Sequence, residues 1–490
     1  MSETNERDLK GKTLVVIGAG PGGYPAAFRA AQMGFDTILV DLRPEPGGVC
    51  LFEGCIPSKT LLHEARLLNE AREAEERGLA FSKPRIDVDR IREHLRKVVG
   101  DLTGGLAARR KKEGIRYVRG KASFSDSRTL AIEAAEDGDD DVPDEIAFDY
   151  AVIATGSHAV ELPDFDVDRS AIWDASEALD LAEIPKTLLV VGGGYIGLEM
   201  GTAYGALGSR VTVVEMTGGL LPGVDRDLVE PLERRLRGDG VGGFEEIFLR
   251  TRVEGAEPYE YGIEVRLTDA EGETRTRKFE RVLTAVGRRP NSEGLGLRNT
   301  AISLGDGGFI PVDEQRRTAE SHIFAIGDVA GEPMLAHVAT HEARVAIEAA
   351  AGRPTAFDPA AVPAVVFTDP EIAWAGLTEG TAKEAGIDVE VARFPWVASG
   401  RARSMGRTDG VTKLVVDPRT DRILGVGVAG SGAGELIGEG ALAVEMGARV
   451  EDLARTIHPH PTLSETLMEA ADVYFGQSVH YQNNKLGGAS

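Results

Sequence analysis

One unit, a strand, a glycine-rich turn, a helix and a second strand closed by an acid, occurs twice in this chain and limits what it can fold into. Residues 13–18, Thr-Leu-Val-Val-Ile-Gly, read as a buried parallel strand that runs into Gly18-Ala19-Gly20-Pro21-Gly22-Gly23. A small-residue helix from about Tyr24 to Met33 and a strand from Thr37 to Val40 follow, and the unit ends on Asp41. Leu188 to Val191, Gly192-Gly193-Gly194-Tyr195-Ile196-Gly197 and Val211 to Val214 repeat the pattern and end on Glu215. From first glycine to acid is 23 residues in both copies, and the copies are offset by 174. Among 60 glycines a single GxGxxG says little. Two, each between strand and helix with an acid at the same distance, are a strong signal. Glycines let the backbone approach a pyrophosphate, the helix N-terminus favours its charge, and the carboxylate accepts from ribose hydroxyls. The expected fold class is therefore α/β, with two Rossmann-like dinucleotide-binding domains.

The rest of the chain fits around these units. Helices are expected from Pro57 to about Arg77 and from about Val88 to Lys112, then strands up to Ala151-Val152-Ile153-Ala154-Thr155-Gly156. Val282 to Asn291, containing Gly287, again reads as strand then glycine, and His322 to Asp328 as a strand ending on an acid. From about Ala361 the pattern changes to alternating strands such as Ala364 to Phe367 and Lys413 to Val416, with a last helix near Pro461. The expected division is a first dinucleotide domain in two parts, 1–158 and 288–360, an inserted second one, 159–287, and a C-terminal α+β domain, 361–490.

The chain has two cysteines, Cys50 and Cys55, five positions apart and just after the first unit. A six-residue loop closed by a disulfide constrains few residues and stabilises little. No His or third Cys stands nearby at ligand spacing, so no metal site is expected. A dithiol that trades electrons with a bound cofactor is favoured over a staple or two buried thiols.

Composition excludes other classes. The net charge of −24 argues against nucleic acid and against anionic membranes as partners. No run of 18 apolar residues exists, so no membrane span is expected. The segment Met1 to Arg7 is polar and acidic, unlike a signal peptide. A cytoplasmic protein is expected, where a lone disulfide is usually catalytic. Of the 55 basic residues 42 are Arg and 13 Lys, which fits either a salt-adapted source or a GC-rich genome. The run Glu136 to Asp141 reads as a solvated loop tip.

Several segments together carry a family resemblance. They are Gly47-Gly48-Val49-Cys50-Leu51-Phe52-Glu53-Gly54-Cys55-Ile56-Pro57-Ser58-Lys59, Gly192 to Gly201, Phe324 to Asp328, Met334-Leu335-Ala336-His337, Val366 to Glu371 and His458-Pro459-His460-Pro461-Thr462-Leu463-Ser464-Glu465. From about Thr13 to Gly476 the chain resembles the flavoprotein disulfide reductases, the class I pyridine nucleotide-disulfide oxidoreductases, and within them the dihydrolipoyl dehydrogenases. The resemblance implies FAD at the first fingerprint, with Gly18, Gly20 and Gly23 at the pyrophosphate, Asp41 at the ribose, Gly48 and Val49 toward the flavin, and Ala122, Thr155, Gly156 and Ser157 lining the cofactor. Asp328 would hold the ribityl chain, and Met334, Leu335, Ala336 and His337 would open a helix whose amides face the flavin. NAD is implied at Gly192, Gly194, Tyr195, Ile196, Gly197 and Gly287, with Glu215 suited to a free 2′-hydroxyl. No Arg or Lys lies between Met216 and Val224 to clamp a 2′-phosphate. Tyr195 matches a gating tyrosine of some relatives and equally suits packing.

The same resemblance makes Cys50 the sulfur that exchanges with substrate and Cys55 the one that passes electrons to flavin. His460 would be the base and Glu465 the acid that orients it, although Thr462 to Glu465 also reads as a capping box. His458 reads as structural. Lys59 and Glu199 would form an ion pair beside the flavin. The pattern departs from the family's at Val49, Phe52 and Glu53. The implied partners are a second copy of the chain, whose C-terminal domain would form the dimer, and the lipoyl domains of 2-oxoacid dehydrogenase or glycine cleavage complexes. The implied reaction is NAD+-dependent reoxidation of dihydrolipoamide. The alternatives are another NAD(P)H-dependent flavoprotein disulfide reductase or a non-catalytic flavoprotein subunit. Glu215 disfavours a glutathione reductase, the lack of cysteine after Cys55 a mercuric reductase, and the presence of the pair a soluble transhydrogenase.

Overall fold

Strands rich in Val, Ile and Leu, apolar on both faces, belong in the interior of a parallel sheet. In the computed structural model, which describes residues 9–136, 142–162, 169–238 and 244–482, Thr13–Ile17 takes that place. It pairs in parallel with Asp36–Asp41 on one side and Tyr150–Ile153 on the other. The chain divides into two compact units, 1–58 with 89–160 and 287–358, and 59–88 with 161–286 and 359–490.

The first unit is built on a seven-stranded sheet in the order Ile323–Ala325, Tyr150–Ile153, Thr13–Ile17, Asp36–Asp41, Arg116–Asp126, Thr129–Ala134, Glu145–Ala147. The first five run parallel and the last two continue as an antiparallel meander. Side chains alternate along the central strand. Leu14 and Val16 enter a core with residues of the helices Gly23–Gln32 and Ala336–Ala350. Val15 and Ile17 enter one on the opposite face with Phe124, Leu130 and Ile310.

The second unit holds three sheets of different character. Phe244–Phe248, Arg210–Val214, Thr187–Val191, Arg281–Thr284 and Ile172–Trp173 form a five-stranded parallel sheet. A three-stranded antiparallel meander, Thr251–Tyr259, Gly262–Asp269 and Thr274–Phe279, accompanies it. Toward the C-terminus an antiparallel sheet runs Ala364–Val366, Glu371–Gly376, Arg422–Gly430, Val411–Asp417, Glu390–Pro395. Its core includes Trp396, wholly buried, whose indole N–H donates to Thr412 Oγ1 at 2.9 Å. An ion network crosses this unit. Asp369 accepts from Arg407 at 2.5 Å and from Arg235 at 2.8 Å, and Arg235 also pairs with Glu73.

The expected boundaries need three corrections. The stretch between the cysteines is not a loop: Gly48–Glu53 is a helix, broken at Gly54, and Cys55 opens a second helix, Cys55–Glu73, two residues before the expected start. The last helix is Glu465–Tyr474 rather than one opening near Pro461. There Thr462 Oγ1 donates to Pro459 O and bonds Ser464 Oγ, so the segment is held as a turn and Ser464 is the N-cap. Residues 137–141 of the acidic run lie outside the described residues.

Candidate cofactor and redox site

The two glycine turns share the geometry of their first and last glycines. Gly18 and Gly192 have φ of +97° and +108°. A Cβ on either would stand 2.3 Å from a carbonyl oxygen, Ala154 O in the first turn and Ala285 O in the second. Gly23 and Gly197 pack their helices onto the carbonyls of those first glycines, at 1.7 and 2.4 Å for an added Cβ. Over the middle glycines there is room: nothing lies within 4 Å at Gly194, and only Gly48 Cα approaches Gly20, at 3.9 Å. The acids repeat the symmetry. Asp41 accepts from Ala19 N–H at 2.6 Å and Arg43 N–H at 2.8 Å. Glu215 accepts from Gly193 N–H and Thr217 N–H, both at 2.6 Å. Burial raises the Asp41 carboxyl above its usual range against the pull of those N–H groups. A close-approach turn with an acid at its edge fits a dinucleotide in both places.

Gly48, at φ +59°, presses its backbone onto the first turn: a Cβ there would meet Gly20 Cα at 2.5 Å. Val49 is 36% exposed. Thr155 and Gly156 follow the strand Tyr150–Ile153, and Thr155 Oγ1 donates to Asn291 O at 2.8 Å. Asn291 returns the contact to Thr155 O at 2.9 Å. Ser157 Oγ donates to Asp328 at 2.5 Å and accepts from Arg288 Nε at 2.7 Å. Arg288 and Asn291 were not singled out as site residues in the sequence; the strand Arg288–Pro290 pairs with Ser157–Ala159 across more than a hundred residues, and Asn291 follows it directly. Glu342 was missed too. It is 5% exposed and accepts Gly327 N–H at 2.6 Å, directly beneath the Asp328 turn. Leu335 is the N-cap of Ala336–Ala350, so Met334 precedes that helix and His337, exposed, is its second residue. Ala122 is buried in the strand Arg116–Asp126. Gly287, at φ +130°, precedes Arg288.

Cys50 is half-buried on the helix Gly48–Glu53 and Cys55 is exposed. Gly54 lets the chain turn back between them. A side chain there would press on Val49 O at 2.9 Å and Cys50 Cα at 3.3 Å.

In the second unit Glu199, 3% exposed, divides its carboxylate between Lys59 Nζ at 2.8 Å and Phe367 N–H at 3.0 Å. Lys59 Nζ also lies 4.6 Å from the Phe367 ring centroid. Phe367 was not singled out in the sequence. Tyr195, 39% exposed, opens the helix Tyr195–Leu207, with Ile196 behind it. The Glu215 loop differs from expectation. No Arg or Lys lies between Met216 and Val224, yet Arg226 Nη1 comes within 2.6 Å of where a Cβ on Gly219 would be, and Arg250 Nε within 3.4 Å of one on Gly218, the latter because Arg250 N–H donates to Thr217 O.

His460 and Glu465 form a hydrogen-bonded pair, Nδ1 to Oε1 at 2.8 Å, while Oε2 accepts Thr462 N–H at 2.7 Å. The expected capping box does not form, because Ser464 rather than Thr462 is the N-cap and Glu465 is the first helical residue; the second oxygen closes the preceding turn instead. Burial alone would raise its carboxyl, but the Thr462 N–H and His460 outweigh it and hold the group below the usual range. The His460 side chain is 74% exposed. His458 is tied down, Nε2 to Glu439 at 2.8 Å and Nδ1 to Thr456 O at 2.9 Å. Asp225, Asp227 and Glu379 also converge, but on the buried Lys413 Nζ, at 2.6, 2.9 and 2.7 Å.

Residues 12–343 match the family model for pyridine nucleotide-disulphide oxidoreductases, and 362–471 match that family's dimerisation domain. The chain belongs to the pyridine nucleotide-disulphide oxidoreductase family. Members of this family use FAD and NAD. The fold is α/β, with two Rossmann-like units and a C-terminal dimerisation domain. Among the relatives of this oxidoreductase is a dihydrolipoyl dehydrogenase of Haemophilus influenzae, 45% identical over 476 residues, which cover 96% of this chain and 97% of that protein. Another, from Haloferax volcanii, is 44% identical and covers 96% and 98%. Among solved structures, LpdA of Mycobacterium tuberculosis superposes with a TM-score of 0.85 at 30% identity, covering 94% and 99%. The HOCl-induced flavoprotein disulfide reductase RclA of Escherichia coli follows at 0.80 and 29%, covering 93% and 98%.

Proposed function

We propose that this oxidoreductase is a dihydrolipoyl dehydrogenase, oxidising the dithiol of protein-bound dihydrolipoamide with NAD+. The observation that carries the reading is the His460–Glu465 pair, a base oriented through one ring nitrogen with its other face open, in a chain whose only cysteines lie on either side of Gly54. The dithiol of the substrate loses two electrons and two protons to become a cyclic disulfide, and the Cys50–Cys55 disulfide becomes a dithiol. His460 takes the substrate's thiol proton so that a thiolate attacks Cys50. Cys55 is the sulfur on the flavin side. FAD, when bound, supplies the two-electron relay from this dithiol to NAD+.

The first fingerprint, with Gly18, Gly20, Gly23 and Asp41, holds FAD. Gly48, Val49, Ala122, Thr155 to Ser157, Asp328 and the segment Met334 to His337 complete that site. Gly192 to Gly197, Glu215 and Gly287 hold NAD. Lys59, kept in place by Glu199 and Phe367, carries positive charge to the flavin. The division into 1–158 with 288–360, 159–287 and 361–490 follows these roles. The active form is a homodimer in which His460 serves the partner subunit's cysteines. Its support is the dimerisation-domain match together with Leu442, Met446 and Ile457, which are 61%, 75% and 95% exposed in the single chain. The lipoyl domain of a 2-oxoacid dehydrogenase or glycine cleavage complex delivers the substrate, in the cytoplasm. Among the described residues no helix is long and apolar enough to cross a membrane.

The test is NADH formation by the FAD-loaded protein with dihydrolipoamide and NAD+. Turnover is expected with dihydrolipoamide and not with glutathione. No turnover with dihydrolipoamide would reject the reading.

A further inference from the structure

Two of the three departures from the family's cysteine motif, Phe52 and Glu53, meet on one side chain. Arg43 grips Glu53 through both guanidinium nitrogens, Nη1 to Oε1 and Nη2 to Oε2, each at 2.9 Å. Its guanidinium carbon also lies 5.1 Å from the Phe52 ring centroid. Arg43 is fixed from behind: its N–H donates to Asp41, and its carbonyl accepts from Tyr117 OH at 2.9 Å. Glu53 lies three residues after Cys50 on the helix Gly48–Glu53, so the two share a face, with Cβ atoms about 5–6 Å apart. The Arg43 and Glu53 side chains are 30% and 39% exposed, and a pair that open adds little stability. Its position points elsewhere.

We propose that Arg43 is a positioning residue that neutralises Glu53 and so sets the redox poise of the Cys50–Cys55 pair. An unpaired Glu53 one turn from Cys50 would oppose the thiolate, and an unpaired Arg43 would favour it. Tyr24, on the helix Gly23–Gln32, is another ionisable group bearing on both sulfurs. Its phenol is raised by burial and then by the two cysteines, which keeps it neutral. The proposal rests on the redox role given to the cysteines above.

The test is the equilibrium of the FAD-loaded enzyme with dihydrolipoamide/lipoamide buffers at about pH 9.5, where a free thiol is largely ionised, read as thiols alkylated by a maleimide after acid quenching and counted by mass. One unit charge at a helical turn's distance in water changes such an equilibrium about threefold. Glu53→Gln should shift it about threefold toward the dithiol and Arg43→Gln about threefold toward the disulfide, by the same reasoning. The double variant and Arg43→Lys should return close to wild type. A clasp that only holds the helix in place would move both single variants in the same direction and would not be rescued by Arg43→Lys. That pattern, or no shift in folded, FAD-containing variants, overturns the proposal and leaves the redox reading standing. A wild-type thiol count constant across the buffer range overturns both.

Discussion

At the residue scale, the two oxygens of Glu465 explain how one side chain holds the His460 ring and closes a turn at once. His460→Gln is expected to lower kcat by roughly 10²–10⁴-fold, the usual worth of a positioned base, with FAD content unchanged. Steady-state kinetics on the purified variant decide this, and a loss below about tenfold would remove His460 from that role. Glu215 has its own prediction. Its buried carboxylate, held by two N–H groups, should favour NAD+ over NADP+ by more than about tenfold in kcat/KM, or ~1.4 kcal/mol. Glu215→Gln should narrow that ratio, because Arg250 remains beside Gly218. Comparable rates with both nucleotides in the wild type would refute this. The identity and spacing of Glu215 were plain in the sequence, since a strand end and a glycine turn set them. Arg250 was not, because strand pairing 35 residues downstream brings it back to the loop. Nor does any local pattern link Lys59 to Glu199 or Ser157 to Arg288; those pairings exist only once the sheets have formed.

At the element scale, the strands of both fingerprint units could be read within about one residue, since a buried parallel strand is a run of apolar residues ended by glycine or acid. The helix Gly48–Glu53 could not, because six residues are too few to display a helical period. Its register depends on contacts with the first turn, at Gly20 and Gly48. A second element is held by charge. Asp369 ties the helix Arg226–Arg237 to the turn before Glu371–Gly376 through Arg235, and also takes Arg407. Burial alone would raise its carboxyl, but Arg407 and Arg235 outweigh it and hold the group below the usual range. A carboxyl depressed in the folded state stabilises above its unfolded pKa and loses that contribution as pH falls through the folded value. Asp369→Asn leaves two guanidinium groups short of a partner and should cost about 3–5 kcal/mol at pH 7. The gap from wild type should close as pH drops below about 4. Denaturant midpoints measured between pH 3 and pH 7 (roughly the span over which a carboxyl titrates) test this; a gap constant over that range would contradict it.

At the scale of the whole molecule, the two cysteines and the His460–Glu465 pair are encoded some four hundred residues apart, in different compact units. Large apolar side chains stand exposed on the helix Ala433–Glu445 and beyond it, at Leu442, Met446 and Ile457. A surface like that is expected to be covered, and a two-fold dimer covers it with its own copy. A dimer is therefore predicted by sedimentation. Whether Cys50 and His460 serve one reaction from two subunits is tested most directly by complementation. Cys50→Ser and His460→Gln chains, each inactive alone, are co-expressed and the mixed protein is assayed with dihydrolipoamide and NAD+. Random pairing of a two-fold dimer makes about half the dimers mixed, each with one intact cysteine–histidine set, so about a quarter of wild-type activity should return. No return of activity in a sample proven to contain mixed dimers would contradict a site shared between subunits.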